Sequence, residues 1–267
     1  MSHSKPLAPA NPTMLLAEVI RTERVTPNMI RVTVGGESLA QFEPMGFDQW
    51  FRLFIPKDDA ADFSRLPKRI DIVGYYAQYL RLPKATRPVM RNYTVREFRP
   101  EALELDIDFV AHGDAGVASG WAERGVIGDQ VAILDQGIGY NPAPGVDWQL
   151  FAADESGLPA VAGILRDLPR DTIGHAFLEL ESLDDMQPTG APDGVELHWV
   201  VRRPGAKPGT GALEAVQSLD FPPGALHAYV VGESALPTSL RRWLVAERGV
   251  PKSNVTFCGY WRVGVSH

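Results

Sequence analysis

Leu103-Glu104-Leu105-Asp106-Ile107-Asp108-Phe109 alternates apolar and acidic residues along its whole length. Successive side chains of a strand point to opposite faces, so this period of two describes a half-buried antiparallel strand. Working outward, residues 29–34, 49–55, 91–97 and 130–134 read as further strands, separated by Gly and Pro turns with little helix between them. Short strands in that arrangement predict a small antiparallel β-barrel. Residues 117–123 read as a short helix or turn before the last of these strands.

Near Asn141-Pro142-Ala143-Pro144-Gly145 the composition shifts and a linker is expected. Beyond it strand and helix alternate: strands at 149–153, 175–180, 197–201, 228–231 and 255–258, helices at 158–168, 212–219 and 236–248. That order predicts a parallel sheet covered by helices. The expected fold class is therefore β followed by α/β, with a barrel domain over residues 14–142 and a three-layer α/β domain over 147–264. The last helix has clear punctuation: Ser234 as an N-cap candidate, an apolar stripe of Leu236, Leu240, Trp243 and Leu244, then Gly249 and Pro251.

A length of 267 residues accommodates two domains of ordinary size. Hydrophobic content of 45% with 22% charged residues is that of a soluble globular chain. The formal net charge of -7 argues against nucleic acid or an anionic membrane as partner. A single cysteine, Cys258, excludes an intramolecular disulfide and suits a reducing compartment. The polar, Pro-rich N-terminus lacks an apolar signal core, and no apolar run approaches a membrane span, so a cytoplasmic location is expected.

Arg91-Asn92-Tyr93-Thr94 places a cation, an aromatic face and a hydroxyl on one strand, with Arg91 and Tyr93 on the same side. A flavin nucleotide asks for such a set: a cation for the pyrophosphate, a flat surface for the isoalloxazine, a donor near N5. Downstream, Asp108-Phe109-Val110-Ala111-His112-Gly113 ends a strand and turns the chain. Gly116-Val117-Ala118-Ser119 then brings small residues and backbone N–H groups together at a helix start, suited to cradling a phosphate. Two further segments echo each other where strand turns into helix, Glu155-Ser156-Gly157-Leu158-Pro159 and Glu233-Ser234-Ala235-Leu236-Pro237. Ser156 and Ser234 read equally as helix caps or as ligand contacts. The acids beside them disfavour phosphate there, so nicotinamide phosphates are expected nearer Arg202-Arg203 or Arg241-Arg242.

Five blocks, spanning residues 14–264, carry a family resemblance: Asp48-Gln49-Trp50-Phe51-Arg52-Leu53, Arg91 to Thr94, Asp108 to Trp121, Ala153 to Pro159, and Gly259-Tyr260-Trp261-Arg262-Val263-Gly264. In that order they resemble the siderophore-interacting proteins, flavin-dependent ferric-siderophore reductases of the ferredoxin-reductase group. The resemblance implies FAD as cofactor, with Arg91 on its pyrophosphate, Tyr93 against the isoalloxazine and Thr94 near N5. It implies that Asp108, Val110, His112, Val117, Ala118 and Ser119 grip the diphosphate and adenosine end, and it adds Asp154 and Ser156 to the cofactor set. Val117 stands where the family has Pro, and Trp50-Phe51 where it has His-Val. Trp121 reads as either a core residue or an adenine contact.

On the substrate side the resemblance implies a ferric siderophore, with Arg52 at the position of a family Lys and with Arg202 and Arg262 as further candidates. The basic stretch Arg65, Lys68, Arg69, Arg81, Lys84, Arg87 and Arg91 reads as a solvated face or as part of an anion pocket, and Tyr75, Tyr76 and Tyr79 as added aromatic surface or loop packing. Histidines at 3, 112, 175, 198, 227 and 267 show no metal spacing, so iron is expected to arrive already chelated and no protein metal site is expected. Electrons would come from NADPH, NADH or a ferredoxin. The competing readings are a general flavin reductase with another acceptor and a siderophore-binding module without electron transfer.

Overall fold

Leu105, Ile107 and Phe109 are buried in one core, as the alternation requires, and they lie on β6 (Glu104–Val110). The computed structural model describes residues 5–56, 63, 66, 79–111, 116–124 and 127–265. Around β6 it places β1 (Met14–Thr26), β2 (Met29–Gly35), β3 (Trp50–Ile55), β4 (Val89–Thr94), β5 (Glu97–Arg99) and β7 (Gln130–Gly137). These seven strands form one antiparallel sheet in the order β4-β3-β7-β1-β2-β6-β5. The sheet curls over its own core, so that Tyr93 on β4 meets Phe109 on β6 with ring centroids 4.3 Å apart. Among the described residues no ladder joins β4 to β5 or β6 and closes the expected barrel.

Three local departures have physical reasons. The acidic face of β6 is not wet: Asp106 is held by Arg99 and Thr33, and Asp108 by Arg31 and Arg96. Residues 91–97 are two strands, because Val95 donates its N–H to Gln49 while Arg96 donates to Asp106 across the core. β1, not anticipated from the sequence, is central, between β7 and β2. Its apolar residues fall on both faces, with Leu15, Ala17 and Val19 buried but Leu16 and Ile20 exposed, and its register shifts after Val19. A smeared period hides a strand from pattern reading.

The second compact unit takes Gly46–Asp48 and the described chain from Ile138 onward, while Ala8–Met45 and Gln49–Gly137 make the first. It holds a parallel five-stranded sheet of β8 (Trp148–Ala153), β9 (Gly174–Leu180), β10 (Val195–Val201), β11 (Leu226–Glu233) and β12 (Val255–Trp261), ordered β10-β9-β8-β11-β12. Helix α1 (Val117–Glu123) belongs to the first unit; α2 (Leu158–Asp167), α3 (Thr210–Gln217) and α4 (Ala235–Ala246) cover the parallel sheet. The chain runs outward from β8 to β10 and then returns to β11, so the strand order reverses between β8 and β11. That reversal opens a crevice at their carboxyl ends. α4 buries Leu236, Leu240 and Leu244 as its stripe predicts. Among the described residues no helix is long and apolar enough to cross a membrane.

Neither echoed serine caps its helix. Ser234 has helical backbone angles, φ -54 and ψ -26, from which a side chain does not reach back over the first turn. Its hydroxyl donates instead to the Trp261 carbonyl at 2.7 Å, and the Glu233 carboxylate accepts the Ala235 N–H at 2.6 Å. Ser156 donates its hydroxyl to Asp154 at 2.5 Å, and Gly157 takes the capping position of α2.

Candidate functional site

β4 is an edge strand, paired with β3 on one side and with no strand on the other among the described residues. An unpaired edge leaves backbone donors and acceptors for a ligand. The register sets Tyr93 opposite Phe51, Arg91 opposite Leu53 and Thr94 opposite Trp50. Arg91 and Tyr93 therefore share the face turned to the core, and Thr94, 8% exposed, lies on the other. Phe109 backs the Tyr93 ring and fixes its plane. Burial pushes the Tyr93 hydroxyl well above its ordinary value, against the Arg91 charge, so it stays protonated at neutral pH.

α1 packs beside β2, β4 and β6, and its Ala118, Trp121 and Ala122 join the core against which Tyr93 packs. Its first turn carries no acidic residue, and Gly116 provides no side-chain cap. A Cβ on Gly116 would stand 2.6 Å from the Ser119 hydroxyl, which would have to turn away to admit it. Ala118 is buried, Val117 is exposed, and Ser119 donates its hydroxyl to the Gly116 carbonyl at 3.1 Å. The uncapped helix start, the half-buried Arg91 and the backed Tyr93 ring fit a flavin nucleotide. Trp121 settles as core: it is 2% exposed, packs on Phe109 and donates its indole N–H to Asp129 at 2.8 Å.

Other expected residues are placed differently. The Asp108 carboxylate is closed to a ligand: Arg31 binds both its oxygens, at 2.7 and 2.8 Å, and Arg96 adds a contact at 3.3 Å. It lies on the face of β6 opposite Phe109, with Val110 at the strand end on the same side. Arg52, 9% exposed, shares the outer face of β3 with Phe54, over which Phe63, Leu66 and Tyr79 pack. Tyr79 donates its hydroxyl to the Pro88 carbonyl at 2.8 Å, a loop-packing role. His112, Arg65, Lys68, Arg69, Tyr75 and Tyr76 lie outside the described residues.

In the second unit Asp154, 1% exposed, joins the carboxyl ends of three strands. It accepts from Ser156 N and Oγ on the β8 loop, from Glu233 N on β11 at 2.6 Å and from Trp261 Nε1 on β12 at 3.1 Å. Burial and the neighbouring Glu155 push its carboxyl up against those hydrogen bonds. The expected cofactor contacts at Asp154 and Ser156 are thus corrected to a framework role for their side chains. Asp48 does similar work: it accepts from Gly139 N, Tyr140 N and Tyr229 OH, the last in turn 3.1 Å from Tyr260 OH. Arg202 is bound between Glu155 and Glu179, the latter at 2.8 Å, and Arg203 pairs with Glu214. Glu179 also accepts the Gly209 and Ala212 N–H groups, filling the N-terminus of α3 with the protein's own carboxylate. The crevice is therefore acidic, and Arg202 offers it no free cation. Arg262 follows β12 and is exposed.

Parallel pairing also assembles what linear spacing hid: His175 Nδ1 and His198 Nε2 lie 3.1 Å apart, beside Glu196. The signal was register, which sequence alone does not supply.

An antiparallel sheet with an Arg-x-Tyr-Thr edge strand, followed by a parallel α/β unit, defines a flavin-dependent oxidoreductase of ferredoxin-reductase-like fold. Residues 18–138 match the siderophore-interacting FAD-binding domain and residues 146–264 the siderophore-interacting protein domain. The ferric vibriobactin reductase ViuB of Vibrio cholerae is 31% identical over 254 residues, covering 93% of this chain and 89% of that one. The NADPH-dependent ferric-chelate reductase of Escherichia coli is 29% identical over 249 residues, 91% of each. The crystal structure of a siderophore utilization protein from T. fusca superposes with a TM-score of 0.79 at 32% identity, covering 98% of this chain and 97% of that one. The chain belongs to the siderophore-interacting protein family.

Proposed function

We propose that this protein reduces ferric siderophores in an FAD-dependent reaction, with NAD(P)H as donor, and that iron leaves the weakened chelate as Fe(II) in the cytoplasm. The observation that carries the reading is the edge strand β4, where Arg91 and Tyr93 share one face beside an uncapped, acid-free helix start. Bound there, FAD supplies the conversion of a two-electron donor into single-electron delivery. Arg91 neutralises the pyrophosphate, the Tyr93 ring gives the isoalloxazine a rigid apolar face, and the backbone of Thr94, next along the open edge of β4, meets the N5 edge. The amides of Val117, Ala118 and Ser119 receive phosphate oxygens, while Val110 and His112 complete the adenosine end. The reductases of Vibrio cholerae and Escherichia coli, similar along nearly the whole chain, support the substrate class and the donor.

One observation weighs against a dinucleotide at the parallel sheet and keeps a ferredoxin as the second donor. Asp154, Glu155, Glu179 and Glu233 crowd the carboxyl ends of β8, β9 and β11, and Glu179 takes the helix start that would otherwise receive a dinucleotide phosphate. The substrate side rests on Arg52 and Arg262, both supported by their place in the family's blocks.

Turnover tests the reading: anaerobic protein with FAD, NADPH and a ferric triscatecholate, Fe(II) being trapped by a ferrous chelator. Wild type forms the coloured ferrous complex, and Tyr93→Ala binds FAD about fivefold more weakly, stacking being worth about 1 kcal/mol, while Tyr93→Phe keeps it. No ferrous complex with either NADPH or reduced ferredoxin sinks the proposal.

A further inference from the structure

We propose a divalent transition-metal site formed by His175 Nδ1, His198 Nε2 and the Glu196 carboxylate, at the amino end of the parallel sheet. Strand pairing builds it. β9 and β10 run parallel with Glu196 opposite His175 and His198 opposite Phe177, so all four side chains rise from one face. The crevice of Asp154 and Glu233 lies at the other end of the same sheet.

The distances are those of a coordination triangle. The two imidazole nitrogens are 3.1 Å apart, and the Glu196 oxygens stand 3.6 Å from His175 Nδ1 and 3.7 Å from His198 Nε2. Zinc–nitrogen bonds of about 2.0–2.1 Å at a tetrahedral angle give ligand separations of about 3.3–3.4 Å, a change of a few tenths of an ångström from the pair as it stands. Aromatic neighbours hold both rings. His198 lies flat on Phe177 at 4.2 Å and 7°, and His175 meets Trp148 edge-on. The imidazoles are shielded, at 17% and 27% side-chain exposure, and Glu196 is open at 67%, so an ion reaches the nitrogens past the carboxylate.

The plain reading is a hydrogen-bonded imidazole pair on an edge strand. That pair is the metal-free form of the same site. One ring carries the shared proton; on metal binding that ring changes tautomer through solvent, its proton moving to the other nitrogen, and Glu196 offsets part of the ion's charge. Two nitrogens and one carboxylate select Zn(II), Co(II) or Fe(II) over Ca(II) and Mg(II), which take oxygen ligands, and leave positions for water.

The test is a Co(II) titration of chelator-stripped, FAD-loaded protein, read by visible ligand-field absorption. One equivalent binds to wild type. Loss of a mere supporting partner weakens a metal site about tenfold or more, so Glu196→Gln weakens binding at least that much and His198→Gln abolishes it. Circular dichroism and flavin binding stay unchanged in both, because neither residue belongs to the flavin site. Competition by Zn(II) and by anaerobic Fe(II) then separates a structural ion from one supplied by the proposed reductase reaction. Absence of Co(II) binding, or equal binding in the His175→Gln/His198→Gln double variant, overturns the site.

Discussion

His227 shows what burial does to a single side chain. It is fully enclosed, with the Tyr140 ring edge-on at 5.6 Å, and burial pushes its imidazole down to about 4. The unfolded chain takes up a proton near pH 6.5, while the folded protein refuses one until about pH 4. The stability this neutral imidazole allows is complete above pH 6.5 and is lost as pH falls toward 4, by up to about 3 kcal/mol. Asp48 and Asp154, their carboxyls raised by burial, act with the opposite sign. The measurement is therefore a difference: wild type loses stability relative to His227→Gln as urea unfolding is repeated from pH 7 to 4.5. Parallel pH curves would refute it. At Arg91 and Tyr93 residue identity raises the expectation of a flavin contact; at Asp154, Ser156 and Arg202 it raised a similar one, and there the side chains are taken by protein partners. A polar residue in a motif looks the same whether it faces a ligand or knots strands together; only partners and burial tell the two apart.

At the scale of elements, strands and helices with a clean period were legible and those without were not. β6, α4 and every strand of the parallel sheet followed their patterns, whereas β1, apolar on both faces and shifted in register, did not. The join between β11 and α4 has its own requirement. Gly232 has φ 126, and a Cβ there would stand 2.7 Å from the Asp154 carboxylate. Gly232→Ala is expected to cost about 2 kcal/mol or more, from backbone strain together with the displaced carboxylate. Equilibrium denaturation reads this directly, and an unchanged midpoint would mean that Asp154 does not fasten the three strand ends. Register is the other thing elements conceal: pairing of β9 with β10 turns two unremarkable histidines into neighbours.

For the molecule as a whole, the order of the blocks was enough to give the fold class, a curled antiparallel sheet followed by a parallel α/β unit. Their positions now have separate explanations. Tyr93 and residues 116–119 form the candidate flavin site. Asp48, Asp154, Tyr260 and Trp261 form the polar framework of the second unit. The central claim is that flavin bound at β4 carries electrons to a ferric chelate. The measurement that tests it most directly is the anaerobic visible spectrum of the FAD-loaded protein, followed through addition of NADPH or reduced ferredoxin and then a ferric siderophore. The account predicts a flavin band that bleaches with donor and returns with the siderophore as Fe(II) appears. A protein that takes up no flavin, or whose bleached flavin a ferric siderophore leaves unchanged, would contradict it.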